Sequence, residues 1–285
     1  MRKHDDEDLI FAAYSADRPS QPTWNASVFE LPLRCSLHRV NAAPLHRINL
    51  PGDVLEEGAG GQLSRLAATR RWLHTIPPRT LVVVLDAWDV LVLGSPSELL
   101  RKFKARGVDV LISAELHFWP PDCEPRGAYP PAAQGAHFTF VNSGAYMGYA
   151  HALADAFDFM AGDDGAFACR DVCGGEHAEP DDMRCWHWYW KHTARTGRVD
   201  LDYNASVFLN MNGVSVEGGG MEVLQGATRV RYAPTGELPC MVHANGNGKE
   251  VPRSRIFAQL VGACFDSSPQ LAVGLDKLRF IGGGT

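Results

Sequence analysis

The sequence predicts an α/β protein, a sheet of buried strands flanked by helices, and three observations carry that expectation. Leu81-Val82-Val83-Val84-Leu85 follows Pro77-Pro78 as an unbroken apolar run. That is the pattern of a strand covered on both faces, found mainly in parallel sheets under helices. Gly94-Ser95-Pro96-Ser97-Glu98 then makes a strong helix start, with Ser95 as N-cap, Pro96 at the first helical position and Glu98 closing a capping box. The helix it opens buries Leu99, Leu100 and Phe103 and ends near Gly107, and Val108 to Glu115 follows as another strand. Such a strand-helix-strand unit should be right-handed.

The other elements follow in chain order. Leu9 to Tyr14 reads as a first buried strand, and Ser15 opens a polar loop where a nucleotide-binding sheet would first meet its ligand. Val28 to Leu31 is a helix or an irregular connection, and Leu45 to Leu50 is a short strand closed by Pro51-Gly52-Asp53. A helix from Gln62 to Leu73 puts Leu63, Leu66, Leu73, Ala67 and Trp72 on one face and leaves Arg65, Arg70 and Arg71 mostly off it. Residues 138 to 149 read as two short strands meeting at Asn142-Ser143-Gly144, small residues that would let a ligand approach the backbone. Helices are expected from His151 to Met160 and, densely aromatic and mostly packing, from Met183 to Thr193. Strands at 207–210, 221–224, 228–232 and 240–243 and a helix at 253–260 complete one domain, 1–285, with its core at 9–260.

At 285 residues the chain can bury a large core. A net charge of -6 gives no broad basic field, which argues against a nucleic-acid partner. No window reaches the 18 apolar residues of a membrane span, and the charged start Met1 to Asp8 is not a secretory signal. The expectation is no transmembrane segment, in a cytosolic protein or a trimmed one of the secretory pathway. Of seven cysteines, Cys169 and Cys173 lie close together with Cys185 nearby, open to a zinc knuckle, a local disulfide or free thiols. The odd count leaves at least one thiol unpaired. The sequons at Asn25 and Asn204 are read as chance.

The chemistry gathers where the central strand ends. Asp86 and Asp89 sit at the edge where open α/β sheets bind ligands. Two hard oxygen donors around Trp88 suit a divalent cation bridging to a phosphorylated substrate, with the indole available to stack on a base. Asp-x-x-Asp is also common at plain surface turns. Glu115 ends its strand beside the same edge, and Trp119, before Pro120-Pro121, is either a packed lid or a sugar platform.

Several blocks occur in one order across roughly residues 9 to 250. They are Gly60-Gly61-Gln62, Leu85 to Val90, Gly94 to Phe103, Ser113-Ala114-Glu115, Trp119-Pro120, Val141 to Gly144, Asp181-Asp182, Phe208 to Gly213 and Val242 to Gly246. Together they resemble the glycosyltransferase domain of the multifunctional procollagen lysyl hydroxylases and its stand-alone glucosyl- and galactosyltransferase relatives. The resemblance implies a GT-A fold, a Rossmann-like mixed sheet flanked by helices, using Mn²⁺ and a UDP-sugar, UDP-glucose or UDP-galactose. By position it makes Asp86, Asp89 and His243 the metal ligands and Trp88 the uracil platform. Asn245, Gly246 and Lys249 fall in the loop around the sugar diphosphate, Trp119 in the sugar-side loop, and Asp181 and Asp182 beside the donor sugar and acceptor. Ser15, Glu115 and Asn142 are added to the donor site.

The implied reaction is retaining transfer of glucose to galactosyl-hydroxylysine of a collagen-like acceptor, with galactosyl transfer to hydroxylysine as the nearest alternative. Rival readings are a metal-dependent hydrolase on Asp86, Asp89 and His243, and a non-catalytic glycan- or peptide-binding relative. The acidic run is shorter than the family's, residues 161 to 180 resemble a cysteine-bearing replacement, and the hydroxylase module is not expected. Whether the chain forms a homodimer is left open, with no motif for it.

Overall fold

The computed structural model describes residues 8–15, 31–49, 59–120, 129–130, 135–162, 181–214, 219–224, 226, 228–246 and 251–266. Its main body is a six-stranded mixed sheet. In chain order the strands involved are β1 (Leu9–Ser15), β2 (His46–Asn49), β3 (Leu81–Leu85), β5 (Val110–Glu115), β6 (Phe140–Tyr149) and β7 (Val199–Leu201). They lie in the order β2-β1-β3-β6-β5-β7, with β6 antiparallel to both neighbours and the other pairs parallel.

The apolar run of β3 divides as a strand of period two requires. Val82 and Val84 join a core with Ala12 and Ile112, while Leu81, Val83 and Leu85 join another with Phe11, Ala13 and Leu111. Helices α2 (Ala59–Leu73), α4 (Ala150–Ala161) and α5 (Asp182–Thr193) cover the first face, through Leu66, Leu73, Leu153, Phe157, Trp186 and Trp190. Helices α1 (Leu31–Arg39) and α3 (Pro96–Arg106) cover the second, through Leu33, Leu37, Leu99 and Phe103. At α3 the expected N-cap is present, the Glu98 N–H donating to Ser95 Oγ at 3.2 Å. The Glu98 carboxylate does not close the capping box, because it accepts from the Arg229 guanidinium at 2.7 and 2.9 Å. Gly107 ends the helix in the left-handed region at φ 65°.

A second sheet lies beside the acidic turn that follows β3. Strand β4 (Val90–Val92) follows the acidic turn directly, and β11 (Met241–His243) runs between β4 and β8 (Phe208–Asn210). Strands β9 (Met221–Val223) and β10 (Val230–Tyr232) form a separate antiparallel pair, and α6 (Val251–Asp266) is the last described helix.

Several expectations are corrected. Residues 138 to 149 do not form two short strands; β6 runs for ten residues through Asn142-Ser143-Gly144 because it bonds to β3 on one side and β5 on the other. The register against β5 shifts between Ile112 and Ser113, so the small residues form an irregularity inside one strand. Strands β3 and β5 are parallel but not neighbours, since β6 lies between them. The short strands β4 and β7 were not anticipated. The described helix α1 begins at Leu31, and Val28 to Glu30 lie outside the described residues.

The cysteines agree with expectation in part, Cys185 taking the disulfide alternative and Cys240 staying unpaired, while the bridge from Cys35 to Cys264 is new. Cys35 on α1 and Cys264 on α6 form a disulfide, and Cys185 is disulfide-bonded as well, which removes it as a zinc ligand. Cys240 is a free, buried thiol, its pKa pushed up to about 12 by burial. Cys169 and Cys173 lie outside the described residues. Among the described residues no helix is long and apolar enough to cross a membrane.

Candidate active site

The chain leaves the sheet after Leu85, and the Asp86 N–H donates to the Gly144 carbonyl at 2.8 Å, which anchors the acidic turn to β6. Strand β11 delivers the third group. Its register sets His243 opposite Val90 on β4 and Asn210 on β8, and the Ala244 N–H donates to the Asp89 carbonyl at 2.8 Å. His243 Nε2 thereby lies 3.3 Å from Asp89 Oδ1 and 3.6 Å from Asp86 Oδ2. One ligand atom from each of the three residues falls within 4.8 Å of the others, a group able to hold a metal ion. An octahedral ion with bonds of about 2.1 Å sets adjacent donors about 3 Å apart, so the spacing fits with a small inward movement. Burial alone would lower the His243 pKa, but the carboxylates of Asp89 and Asp86 outweigh it and raise the pKa.

Gly144 makes room for this cluster. A Cβ there would lie 2.8 Å from Asp86 Oδ2 and 2.9 Å from His243 Nδ1, and closer still to His243 Cε1. No side chain fits.

Behind the cluster lies Glu115, at the end of β5 and only 1 % exposed. Its Oε1 accepts from Asn142 Nδ2 at 3.0 Å, and its Oε2 accepts from Asn245 Nδ2 at 3.1 Å and Asn212 Nδ2 at 3.4 Å. Asn142 Oδ1 accepts in turn from the Gly144 N–H at 2.9 Å, and Asn245 Oδ1 from the Asn212 N–H at 3.0 Å. One buried carboxylate thus ties together the ends of β5, β6, β8 and β11. Burial raises its pKa, and the amide donors pull against that rise. Gly246, at φ +51°, follows Asn245, and a Cβ there would sit 3.1 Å from Asn212 Cγ.

Asp181 and Asp182 enter from α5. Asp181 is the N-cap, its Oδ1 accepting from the Met183 N–H at 2.6 Å. Burial, with the carboxylates of Asp181 and Asp86 beside it, pushes Asp182 up to about 7, and Arg65 on α2 pulls the other way. Tyr14 and Tyr146 join hydroxyls at 2.9 Å in the same region, and the Arg65 guanidinium lies 5.8 Å from the centroid of the Tyr14 ring.

Two tryptophans stand out from this surface, Trp88 at 41 % and Trp119 at 56 % exposed. Trp119 is therefore not a packed lid. Its carbonyl accepts from buried His187 Nε2 at 2.9 Å, and the His187 ring stacks on Phe118 at 4.3 Å. Ser15 closes β1 at the same end of the sheet, because β1 runs parallel to β3 with Ala13 opposite Leu85. Lys249 lies outside the described residues.

The structure thus brings Asp86, Asp89 and His243 together, stacks Asn142, Glu115 and Asn245 behind them, and sets Asp182 close enough to Asp86 to be perturbed by it. Sequence reasoning missed Arg65 and Asn210. The first carried one signal, its place off the apolar face of its helix.

Comparison with known proteins agrees with the fold. Residues 45–166 match the PLOD GT domain. The resemblance read from the sequence is borne out over that segment. The multifunctional procollagen lysine hydroxylase and glycosyltransferase LH3 of Rattus norvegicus is 28 % identical over 201 residues, 70 % of this chain and 25 % of that protein. The procollagen-lysine,2-oxoglutarate 5-dioxygenase 1 of Gallus gallus is 27 % identical over 199 residues, with 70 % and 25 % coverage. This chain therefore spans about a quarter of the length of these relatives. Among solved structures, mouse xyloside xylosyltransferase 1 in its apo form aligns with a TM-score of 0.52 at 11 % identity, covering 84 % of this chain and 98 % of that one. The galactosyltransferase LgtC in complex with donor and acceptor sugar analogs aligns with a TM-score of 0.50 at 15 % identity, covering 90 % and 95 %. The fold is GT-A.

Proposed function

We propose that this protein transfers a hexose from a UDP-sugar, with glucose from UDP-glucose as the first choice, to galactosyl-hydroxylysine of a collagen-like acceptor. The observation that carries the reading is the convergence of Asp86, Asp89 and His243, within 4.8 Å, at the ligand-binding edge of a GT-A sheet. Two carboxylates and an imidazole suit Mn²⁺. Such an ion, when bound, neutralises the charge that grows on a departing diphosphate.

The chain's own residues divide the remaining work. Exposed Trp88, between the two metal-site aspartates, offers its face to the uracil. Asn245 and Gly246 line the turn after β11, held by Glu115, where the diphosphate would lie. Trp119 stands on the sugar side. The Asp182 carboxyl orients the acceptor hydroxyl or faces the positive charge that develops on the donor sugar. In the family reading the product is α-linked, with retention.

The test is UDP release from UDP-glucose and UDP-galactose, each with Mn²⁺ or Mg²⁺, with and without a collagen-like acceptor bearing galactosyl-hydroxylysine. Release from UDP-glucose only with metal and acceptor supports the proposal; equal release without acceptor points to hydrolysis and sinks it. Asp86→Asn should abolish metal-dependent donor binding, whereas Asp182→Asn should keep donor binding and lose transfer.

A further inference from the structure

His243 can serve a metal only through the ring nitrogen that faces Asp86 and Asp89, which is Nε2. A neutral imidazole carries one proton, and a proton on Nε2 would block that role. The other nitrogen, Nδ1, lies 2.8 Å from Asn210 Oδ1. Which atom of the Asn210 amide faces the ring is decided one step further back. Asn210 Nδ2 donates to the Ala114 carbonyl at 2.8 Å. A flipped amide would set Oδ1 against that carbonyl, two acceptors face to face, so Oδ1 points at His243 and Nδ1 must carry the proton. Asn210 is wholly buried, as is Ala114, so water does not compete for either bond.

The bond is not needed to hold the backbone. β11 is already paired with β8, and the Met211 N–H donates to the His243 carbonyl at 2.9 Å. What the side chain adds is a fixed ring orientation and a fixed tautomer.

We propose that Asn210 is a positioning residue which, braced by the Ala114 carbonyl, holds His243 with its Nε2 lone pair toward Asp86 and Asp89 and thereby sets the affinity of this site for a divalent cation. The inference rests on the metal-site reading above and adds to it a residue that touches neither metal nor substrate.

The experiment titrates the full chain with Mn²⁺, alone and with UDP, and counts free ion by electron paramagnetic resonance. Wild type, Asn210→Ala, His243→Ala and the double variant form a cycle, with circular dichroism confirming that each folds. Loss of an outer hydrogen-bond partner weakens metal binding about 10- to 100-fold, and that is the loss expected for Asn210→Ala. Because Asn210 acts through His243, the double variant should bind no more weakly than His243→Ala. Asn210→Asp still offers Nδ1 an acceptor but sets its second oxygen against the Ala114 carbonyl, so the brace is lost. A folded Asn210→Asp should also bind Mn²⁺ more weakly than wild type and carries the test if the alanine variant does not fold. Wild-type affinity in Asn210→Ala, additive losses in the double variant, or wild-type affinity in a folded Asn210→Asp would each overturn the inference alone. If wild type itself binds no Mn²⁺, the metal-site reading falls and this inference with it.

Discussion

Acidification should destabilise this protein through one buried side chain, His187 on α5. It is 1 % exposed, and burial lowers its pKa from 6.5 to about 4. Both ring nitrogens are occupied in the neutral form. Nε2–H donates to the Trp119 carbonyl at 2.9 Å, and Nδ1 accepts from the Tyr129 hydroxyl at 3.1 Å, whose oxygen itself accepts from the Val141 N–H at 3.0 Å. As pH falls below 6.5 the unfolded chain takes up a proton that the folded chain refuses. Stability from this residue is therefore intact above pH 6.5 and is lost between 6.5 and about 4. A span of about 2.5 pH units at 1.36 kcal/mol each makes the full loss about 3 kcal/mol. His187→Gln keeps an amide donor for Trp119 and removes the titration. Urea unfolding of both forms at several pH values from about 7.5 to 4 measures the effect. The stability of wild type relative to the variant should fall by about 3 kcal/mol across that range. A difference that stays constant with pH would refute the argument.

Two further outcomes test the packing of the site and its scaffold. Gly144→Ala places a Cβ 2.9 Å from His243 Nδ1 and 2.8 Å from Asp86 Oδ2, so it should cost about 1–3 kcal/mol in thermal unfolding and weaken Mn²⁺ binding by displacing both groups. Unchanged binding would show that His243 and Asp86 can yield without loss. Replacing Cys35 and Cys264 together by serine opens a link across a sequence separation of 229, and chain entropy sets the upper bound of the loss at about 5 kcal/mol in urea unfolding. An unaltered midpoint would mean that packing of α1 against α6 suffices without the bond.

How much of this was readable along the chain differs from residue to residue. The β3 run and the Ser95 cap were legible because their signals are local: alternate side chains in a strand must face opposite ways, and a helix N-terminus must satisfy its own N–H groups. Asp86 and Asp89 could be named as a pair from their spacing, but spacing alone did not separate them from a surface turn. His243 lies on a different strand, and only the β4-β11 register brings its ring within 3.3 Å of Asp89. Glu115 shows the opposite limit. The sequence placed it at the right edge, yet its three amide partners come from residues 27, 97 and 130 positions away.

The sequence by itself determined the α/β class, the buried central strand, the capped helix after it and the Asp86 and Asp89 pair, because each rests on side-chain pattern within a few residues, whereas His243 entered through the family resemblance. The tertiary structure decided that β6 separates β3 from β5, that Cys35 pairs with Cys264, and that Asn210, by way of Ala114, faces His243. Those outcomes are contacts between distant segments. Their energies exist only once the sheet has closed, so no local pattern could encode them.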